Sequence, residues 1–468
     1  MKNINKYNHV ILISLDTLRN DCITANKDNF VKKMLGKKAF KTEKLDQIIK
    51  KGVYFKNCIS AAPYTSASHT AYFTGVWPNQ NGVYEFFNRK IARPTVFRLA
   101  KKSGFHTIFQ TDFPIILGES LGFKDGVDDY FIEDEKNAFK KLQHVSKKEN
   151  TLSFFHFGGI HYPYGFHKIK FAKKDFPNKI KALEKKYGLK PNINASDMLD
   201  ESFRDDKDRE YLLRYKSIVD HLHFESKYQD LLELYLEGLD YFLKNRFNSF
   251  FDKLIDFVDK NNALLVVFAD HGENWNKNSR GHSDSVDDEV LRVPLLFYGK
   301  NIPKNKKITE LVRTIDVIPT ICEYTNIKKS EFSGKSIDLQ SIDFFKSNRE
   351  AYSQVWRVGD KRKIYEFQQN VLKNKKMYSP LKTKLEKESV YANGYSLKRK
   401  YLEDGQVEEV LFKNTGEKLE SIKTNDKIAS RLRKLLSDYN SKNKYVGDKI
   451  DEIPAEIANG LKSMGYNV

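Results

Sequence analysis

The run HVILISL at residues 9–15 is apolar at nearly every position rather than at alternate ones. That pattern predicts a strand covered on both faces, as in a parallel sheet. EKLDQIIKKGVYFKN (43–57) has helical spacing up to Gly52 and β-type residues after it, so it predicts a helix stopped at the glycine and then a short strand. TVFRLAKKSGFHTIFQTD (95–112) repeats the unit around Gly104, and TLSFFHFGGIHYPYGF (151–166) reads as a buried strand ending in a Gly-Gly loop. Phe250, Phe251, Leu254, Ile255 and Val258 recur at helical spacing and predict one core-facing stripe. ALLVVFA (263–269) and VPLLFYG (293–299) follow as further strands. Strands alternating with helices predict a doubly wound α/β domain with its chemistry at the carboxyl ends of the strands.

Two segments break this rhythm. Residues 167–230 are highly charged and aperiodic, and are expected to form an insertion of helices and loops over one edge, with its charges in solvent. Past about residue 340, KRKIYEFQQ, SVYANGYSLKRKYL and VEEVLFKN read as antiparallel strands with Asn-Gly and Asp-Gly turns. A basic helix at about 425–440 and the tail EIANGLKSMGYNV follow. The expected organisation is a catalytic α/β domain over 1–340, carrying the insertion, and a C-terminal α+β subdomain over 341–468 packed directly on it.

Composition narrows the functional classes. With 40% hydrophobic and 13% aromatic residues among 468, the chain can bury a large core and is not disordered. A net charge of +19 suits an anionic partner by long-range steering, or equally a solvated lysine-rich surface. The lysines are scattered and the aromatics look like core, so no specific nucleic-acid binding is expected. Cys22, Cys58 and Cys322 are far apart, with no CxxC pair, which argues against a disulfide framework or a cysteine zinc site. No apolar run approaches the roughly 20 residues of a membrane span, and the first residues lack a signal-peptide pattern. A soluble cytoplasmic protein is expected, of unspecified oligomeric state.

Three loops carry candidate chemistry: SLDTLRND (14–21), APYTSASHTAYFTG (62–75) and FADHGENW (268–275). Asp16 and Asp270 each follow an apolar strand directly, where an uncompensated carboxylate is costly. Asp16, Asp270 and His271 form a mixed oxygen and nitrogen set suited to one divalent cation, Mg, Mn, Ca or Zn. Taken singly each could be a helix cap or a loop ion pair; their common position after strands favours ligation. In the second loop, Thr65, Ser66, Ser68, His69 and Thr70 crowd together. Either a hydroxyl caps a short helix, or a helix N-terminus holds an anion beside a hydroxyl nucleophile.

ILISLDTLRND, APYTSASHTAYFTGVWPNQNGV, FFHFGGIHYPY, VVFADHGE, LRVPLLFYG, RTIDVIPTICEYTNI and LKSMGYNV occur in this order. Together they resemble the motifs of the sulfatase branch of the alkaline phosphatase superfamily. The resemblance implies a three-layer α/β/α sandwich with a mostly parallel sheet, plus the smaller subdomain with an antiparallel sheet. It also implies one catalytic metal on Asp16, Asp270 and His271. Counting back from Thr74-Gly75, the nucleophile position falls on Thr65, whose oxygen would also reach the metal. Ala67 stands for the family's proline, Ser68 matches its serine and His69 replaces its arginine, which places Ser68 and His69 at substrate-contacting positions. His161 matches a substrate-contacting histidine, and His282 falls where sulfatases place an anion-binding lysine. Either could protonate the leaving oxygen.

Two departures shape the expected reaction. Sulfatases oxidise a Cys or Ser at the nucleophile position to formylglycine, and threonine is no substrate for that conversion. An unmodified hydroxyl on a metal matches the superfamily's phosphatases, phosphodiesterases and phosphotransferases. The Gly-Lys-x-x-His segment of sulfatases is replaced by Thr111, Asp112 and Pro114. An acidic residue there argues against a simple sulfate pocket, unless the insertion supplies cations. None of the 11 histidines follows an Asp by four places, which favours one metal over two. The expected function is metal-dependent hydrolysis of phosphate (or sulfate) esters of a sugar, glycan or lipid head group. Alternatives are transfer of a phospho-alcohol group to a glycan acceptor, a true sulfatase, and a non-catalytic polyanion binder.

Overall fold

His9–Leu15 (β1) lies at the middle of a nine-stranded sheet in the computed structural model. The structure describes residues 6–26, 42–84, 90–114, 116–165, 175–192, 209–276, 279–341, 348–358, 383–416, 418–423 and 426–442. The sheet also contains Val53–Ile59 (β2), Phe105–Thr111 (β3), Asp129–Ile132 (β4), Asn150–Phe157 (β5) and Ala263–Phe268 (β6). After a small hairpin of Trp275–Asn276 (β7) and Ser279–Arg280 (β8), it is completed by Arg292–Gly299 (β9), Lys306–Ile308 (β10) and Val312–Arg313 (β11). The order is β10-β2-β9-β6-β1-β5-β3-β4, with β11 also on β2. Among the described residues of this sheet, only β9 runs antiparallel to its neighbours.

Every residue of β1, β2, β6 and β9 is buried, so both faces of the sheet are covered and the domain has three layers. Helix Glu43–Lys51 contributes Leu45, Ile48 and Ile49 to the core. Helix Asn248–Lys260 contributes Phe250, Phe251, Leu254, Phe257 and Val258, with Ile255 partly buried at its edge. Each such side chain contributes about 1.5–3 kcal/mol by leaving water. In the shared register Leu15 pairs with Phe157, and Ser14 pairs with both His156 and Phe268. The residues after β1, β5 and β6 therefore emerge together at the carboxyl edge.

A second, five-stranded antiparallel sheet runs in chain order: Ala351–Val358 (β12), Thr383–Ala392 (β13), Tyr395–Tyr401 (β14), Val407–Asn414 (β15) and Leu419–Ser421 (β16). Asn393 (φ 51) and Gly394 (φ 79) close the β13–β14 hairpin in left-handed conformations, as the Asn-Gly pair predicts. Helix Asp426–Lys442 packs on it through Leu432 and Leu436. Tyr352 stacks on Tyr439 at 4.3 Å and meets Trp77 of the first region edge-on at 5.4 Å, so the two regions share a core. The strand expected over KRKIYEFQQ (361–369) and the tail EIANGLKSMGYNV lie outside the described residues.

Among its described residues, most charges of the insertion are exposed, as expected, but Glu184, Arg214 and Lys216 are buried. Helix Arg209–Phe224 buries Leu212, Tyr215, Ile218, Val219 and Leu222, a helical stripe hidden in the sequence by interspersed charges. Arg214 grips Glu184 of helix Phe176–Tyr187 through two bonds of 2.8 and 2.6 Å, both side chains 8% exposed. Such a planar paired contact fixes the two helices against each other.

Candidate active site

Thr65 opens the helix Thr65–Thr74, which starts shortly after the carboxyl end of β2. Tyr64 at the N-cap is extended and gives no side-chain capping bond. The hydroxyls of Thr70 and Thr74 instead bond back to the carbonyls of Ser66 and Thr70, at 2.7 and 2.6 Å. These two hydroxyls are thus satisfied along the buried helix, whose start carries no side-chain capping bond, so that its positive dipole end lies at Thr65.

Thr65 Oγ1 lies 3.4 Å from Asp16 Oδ2 and 3.3 Å from His271 Nε2. His271 Nε2 is 3.2 Å from Asp270 Oδ2 and 3.9 Å from Asp16 Oδ1. All four residues are buried. His271 Nδ1 is 3.0 Å from the Gly272 carbonyl, which only accepts, so the ring proton sits on Nδ1 and Nε2 offers a lone pair. Gly272 permits this turn because a Cβ there would meet the Glu289 carbonyl oxygen at 2.0 Å.

Asp16 Oδ1 and Asp270 Oδ2 are buried and accept no hydrogen bond. Together with His271 Nε2 they crowd acceptor against acceptor among buried side chains. Donor atoms of Asp16, Asp270 and His271 all fall within 4.8 Å of one another. Burial raises the carboxyl of Asp16, and burial followed by the Asp16 charge pushes Asp270 up to about 6. Burial, then the neighbouring His282, pushes His271 down to about 4. Two carboxylates and a neutral imidazole arranged in this way fit a divalent cation, which would satisfy the orphaned oxygens.

His161 and His282 adjoin this cluster. His282 stacks on His271 at 4.3 Å, and His161 meets His282 edge-on at 5.0 Å. His161 Nδ1 is 2.8 Å from the Tyr162 carbonyl, and His282 Nδ1 is 2.9 Å from Glu273 Oε2. Both Nδ1 atoms are therefore donors, which leaves each Nε2 as an acceptor. Burial lowers both rings, His282 to about 4.

Ser68 and His69, to which the motif count gives substrate-contacting positions, hydrogen-bond to protein groups around the cluster. Ser68 Oγ donates to the Asp270 carbonyl at 2.7 Å. His69 Nδ1 is 2.9 Å from the Thr65 carbonyl and its Nε2 is 2.9 Å from Ser14 Oγ. Neither residue has exposed surface: Ser68 ties the helix to the Asp270 loop, and His69 joins Thr65 of its own helix to Ser14 of β1. Asp112 is likewise occupied: Arg246 grips it with bonds of 2.7 and 2.9 Å, so its charge is compensated from beyond the insertion.

The sequence reading missed His156 and Glu273. His156 Nε2 sits 3.0 Å from Asp16 Oδ2, and its signal was a single histidine inside the apolar run FFHF. Glu273 orients His282, and its signal was the acid directly after Asp-His-Gly.

A family model described as sulfatase matches residues 8–327. A low-salt glycan biosynthesis sulfotransferase of Haloferax volcanii is 24% identical over 323 residues, 67% of this chain and 64% of that protein. The match thus spans less than two thirds of that relative's length. A solved structure described as a complex with its substrate, D-glucosamine-2-N,6-O-disulfate, superposes with a TM-score of 0.62 at 15% identity, covering 94% of this chain and 98% of the other. A phosphonate monoester hydrolase of Silicibacter pomeroyi gives 0.52 at 12% identity, covering 95% and 99%. At these identities the structural likeness shows the fold.

Proposed function

Because this chain belongs to the sulfatase family, within the alkaline phosphatase superfamily, we propose that it is a metal-dependent hydrolase of phosphate esters with Thr65 as its nucleophile. The observation that carries this reading is the Thr65 hydroxyl at an uncapped helix start, 3.3 and 3.4 Å from His271 and Asp16. Asp16, Asp270, His271 and the Thr65 oxygen would hold one divalent cation, whose charge would favour the alkoxide and offset negative charge on the transferred group.

The residues of the chain do the rest. The helix N-terminus draws the anionic ester toward Thr65. Thr65 Oγ1, its hydroxyl proton released to solvent, forms a bond to phosphorus while the bond to the ester oxygen breaks. His161 and His282 present Nε2 to the departing oxygen; an anion between them raises their affinity for a proton, so that one of them can protonate it. Water then releases phosphate from Thr65. Threonine favours phosphate over sulfate in this account, since the formylglycine of sulfatases cannot be made from it. A sugar or glycan ester is the favoured substrate class, supported by the disulfated glucosamine of the structural neighbour.

A second reading keeps the covalent group on Thr65 and passes it to an acceptor hydroxyl. The Haloferax volcanii relative, a sulfotransferase, favours that alternative. Incubation of the purified protein with phosphate- and sulfate-ester panels, with and without sugar acceptors, separates hydrolysis from transfer. Among the described residues no helix is long and apolar enough to cross a membrane.

A further inference from the structure

Behind Asp16 stands a histidine that the mechanism does not use. His156 lies in β5 opposite Ser14 of β1 and has no exposed surface. Its flanking residues Phe154, Phe155 and Phe157 are apolar and buried, so packing alone gives no reason for an imidazole. Nδ1 is 3.4 Å from the Asp112 backbone nitrogen and 3.3 Å from Thr111 Oγ1. A backbone N–H can only donate, so Nδ1 accepts and the ring proton is on Nε2. Nε2 therefore donates to Asp16 Oδ2 at 3.0 Å. That bond occupies one carboxylate oxygen and leaves the other, Oδ1, as the orphan facing His271.

Asp112 is itself held on several sides. Besides the two arms of Arg246, it accepts the Gly158 backbone N–H at 2.9 Å and the Gln110 amide at 3.0 Å. Arg246 also bonds Glu135 at 2.8 and 3.1 Å. It sits in the five-residue π-helical turn Leu243–Phe247, a conformation enriched at functional positions. The guanidinium locks the Asp112 carboxylate, and the support reaches His156 through the Asp112 backbone N–H.

We infer that Arg246, Asp112 and His156 form a relay that fixes which oxygen of Asp16 is offered to a cation, with His156 as a positioning residue of the metal centre. The inference rests on the metal reading above. It assigns to this chain a support that lies outside the ligands themselves, of the kind that orients metal-binding side chains elsewhere.

Calorimetric titration of chelator-stripped protein with Mn²⁺ tests it, on the unaltered chain and on His156→Leu, His156→Gln and Asp16→Ala. Melting in chelator reports whether each variant is folded. Asp16→Ala should abolish binding, and His156→Leu should weaken it by about 10–100-fold. His156→Gln, which keeps an N–H near the position of Nε2, should recover most of the loss. If His156→Leu does not fold, His156→Asn, polar but too short to reach Asp16, takes its place in the comparison with Gln. Unweakened Mn²⁺ binding in the Leu or Asn variant, with binding lost in Asp16→Ala, would overturn the relay and leave the metal centre standing. Unchanged binding in Asp16→Ala, or no binding by the unaltered chain, would overturn the metal reading and the relay with it.

Discussion

The Thr65 hydroxyl oxygen lies 3.3 Å from Nε2 of His271, although 206 residues separate the two in the chain. Sheet topology makes the meeting. β9 runs antiparallel between β2 and β6, so β2 and β6 point the same way and end at one edge. The helix of Thr65 follows the first and His271 follows the second. A threonine beside a helix start ordinarily caps it. Here its oxygen faces a carboxylate and an imidazole instead, the surroundings that the proposed nucleophile requires.

Loss of Asp270 should separate metal from fold. Ser60 and Ser68 hold the Asp270 backbone carbonyl at 2.6 and 2.7 Å, so Asp270→Ala should keep the loop in place while removing a buried carboxylate. Elemental analysis should find cation content reduced to background, and turnover should vanish with little change in melting. Chelation of the unaltered protein should have the same effect on turnover, reversed by one or more of Mg²⁺, Mn²⁺, Ca²⁺ or Zn²⁺. Full cation content in Asp270→Ala would contradict the ligand set.

His161 and His282 should act at the leaving oxygen. Both keep Nδ1 bound to protein acceptors and present Nε2 to the same region. Replacing either by Ala should lower kcat by about 10²–10⁴-fold if it is the general acid. A substrate with a better leaving group should shrink that loss, because it needs less help from a proton. A variant with normal kcat on a poor leaving group would remove that histidine from the chemistry.

The buried neutral histidines should make the fold sensitive to acid. Burial pushes His69 from the ordinary 6.5 down to about 3, so the unfolded chain takes up a proton that the folded chain refuses. Stability from this group is complete above about pH 6.5 and is lost as pH falls toward about 3, at about 1.4 kcal/mol per pH unit. Urea unfolding of chelated protein between pH 7 and pH 5 measures the slope. His69→Gln does not titrate and should flatten it; an unchanged slope would contradict the argument.

Much of this was legible because it rests on local rules. The continuous apolar runs of β1 and β6 named buried parallel strands, Gly52 ended its helix, and Asn393-Gly394 marked its hairpin. Asp16, Asp270, His271 and Thr65 meet because each follows a strand that ends at the same edge. What was not legible depends on side-chain direction. A motif count gives the position of Ser68 and His69 but not that their side chains bond the Asp270 and Thr65 carbonyls. His156 was hidden inside an apolar strand, and its partner Asp16 is named only by the β1–β5 register. The stripe of helix Arg209–Phe224 was hidden by the charges between its apolar positions.

The most direct test is the intact mass of the protein after brief reaction with a phosphate ester at low pH, followed by peptide mapping. The account predicts added phosphate on Thr65, absent from Thr65→Ala, with turnover in that variant reduced by several orders of magnitude. Thr65→Ser should keep part of the activity because the attacking oxygen is retained. Phosphate on Ser66 or Ser68, or covalent capture only from sulfate esters, would contradict it.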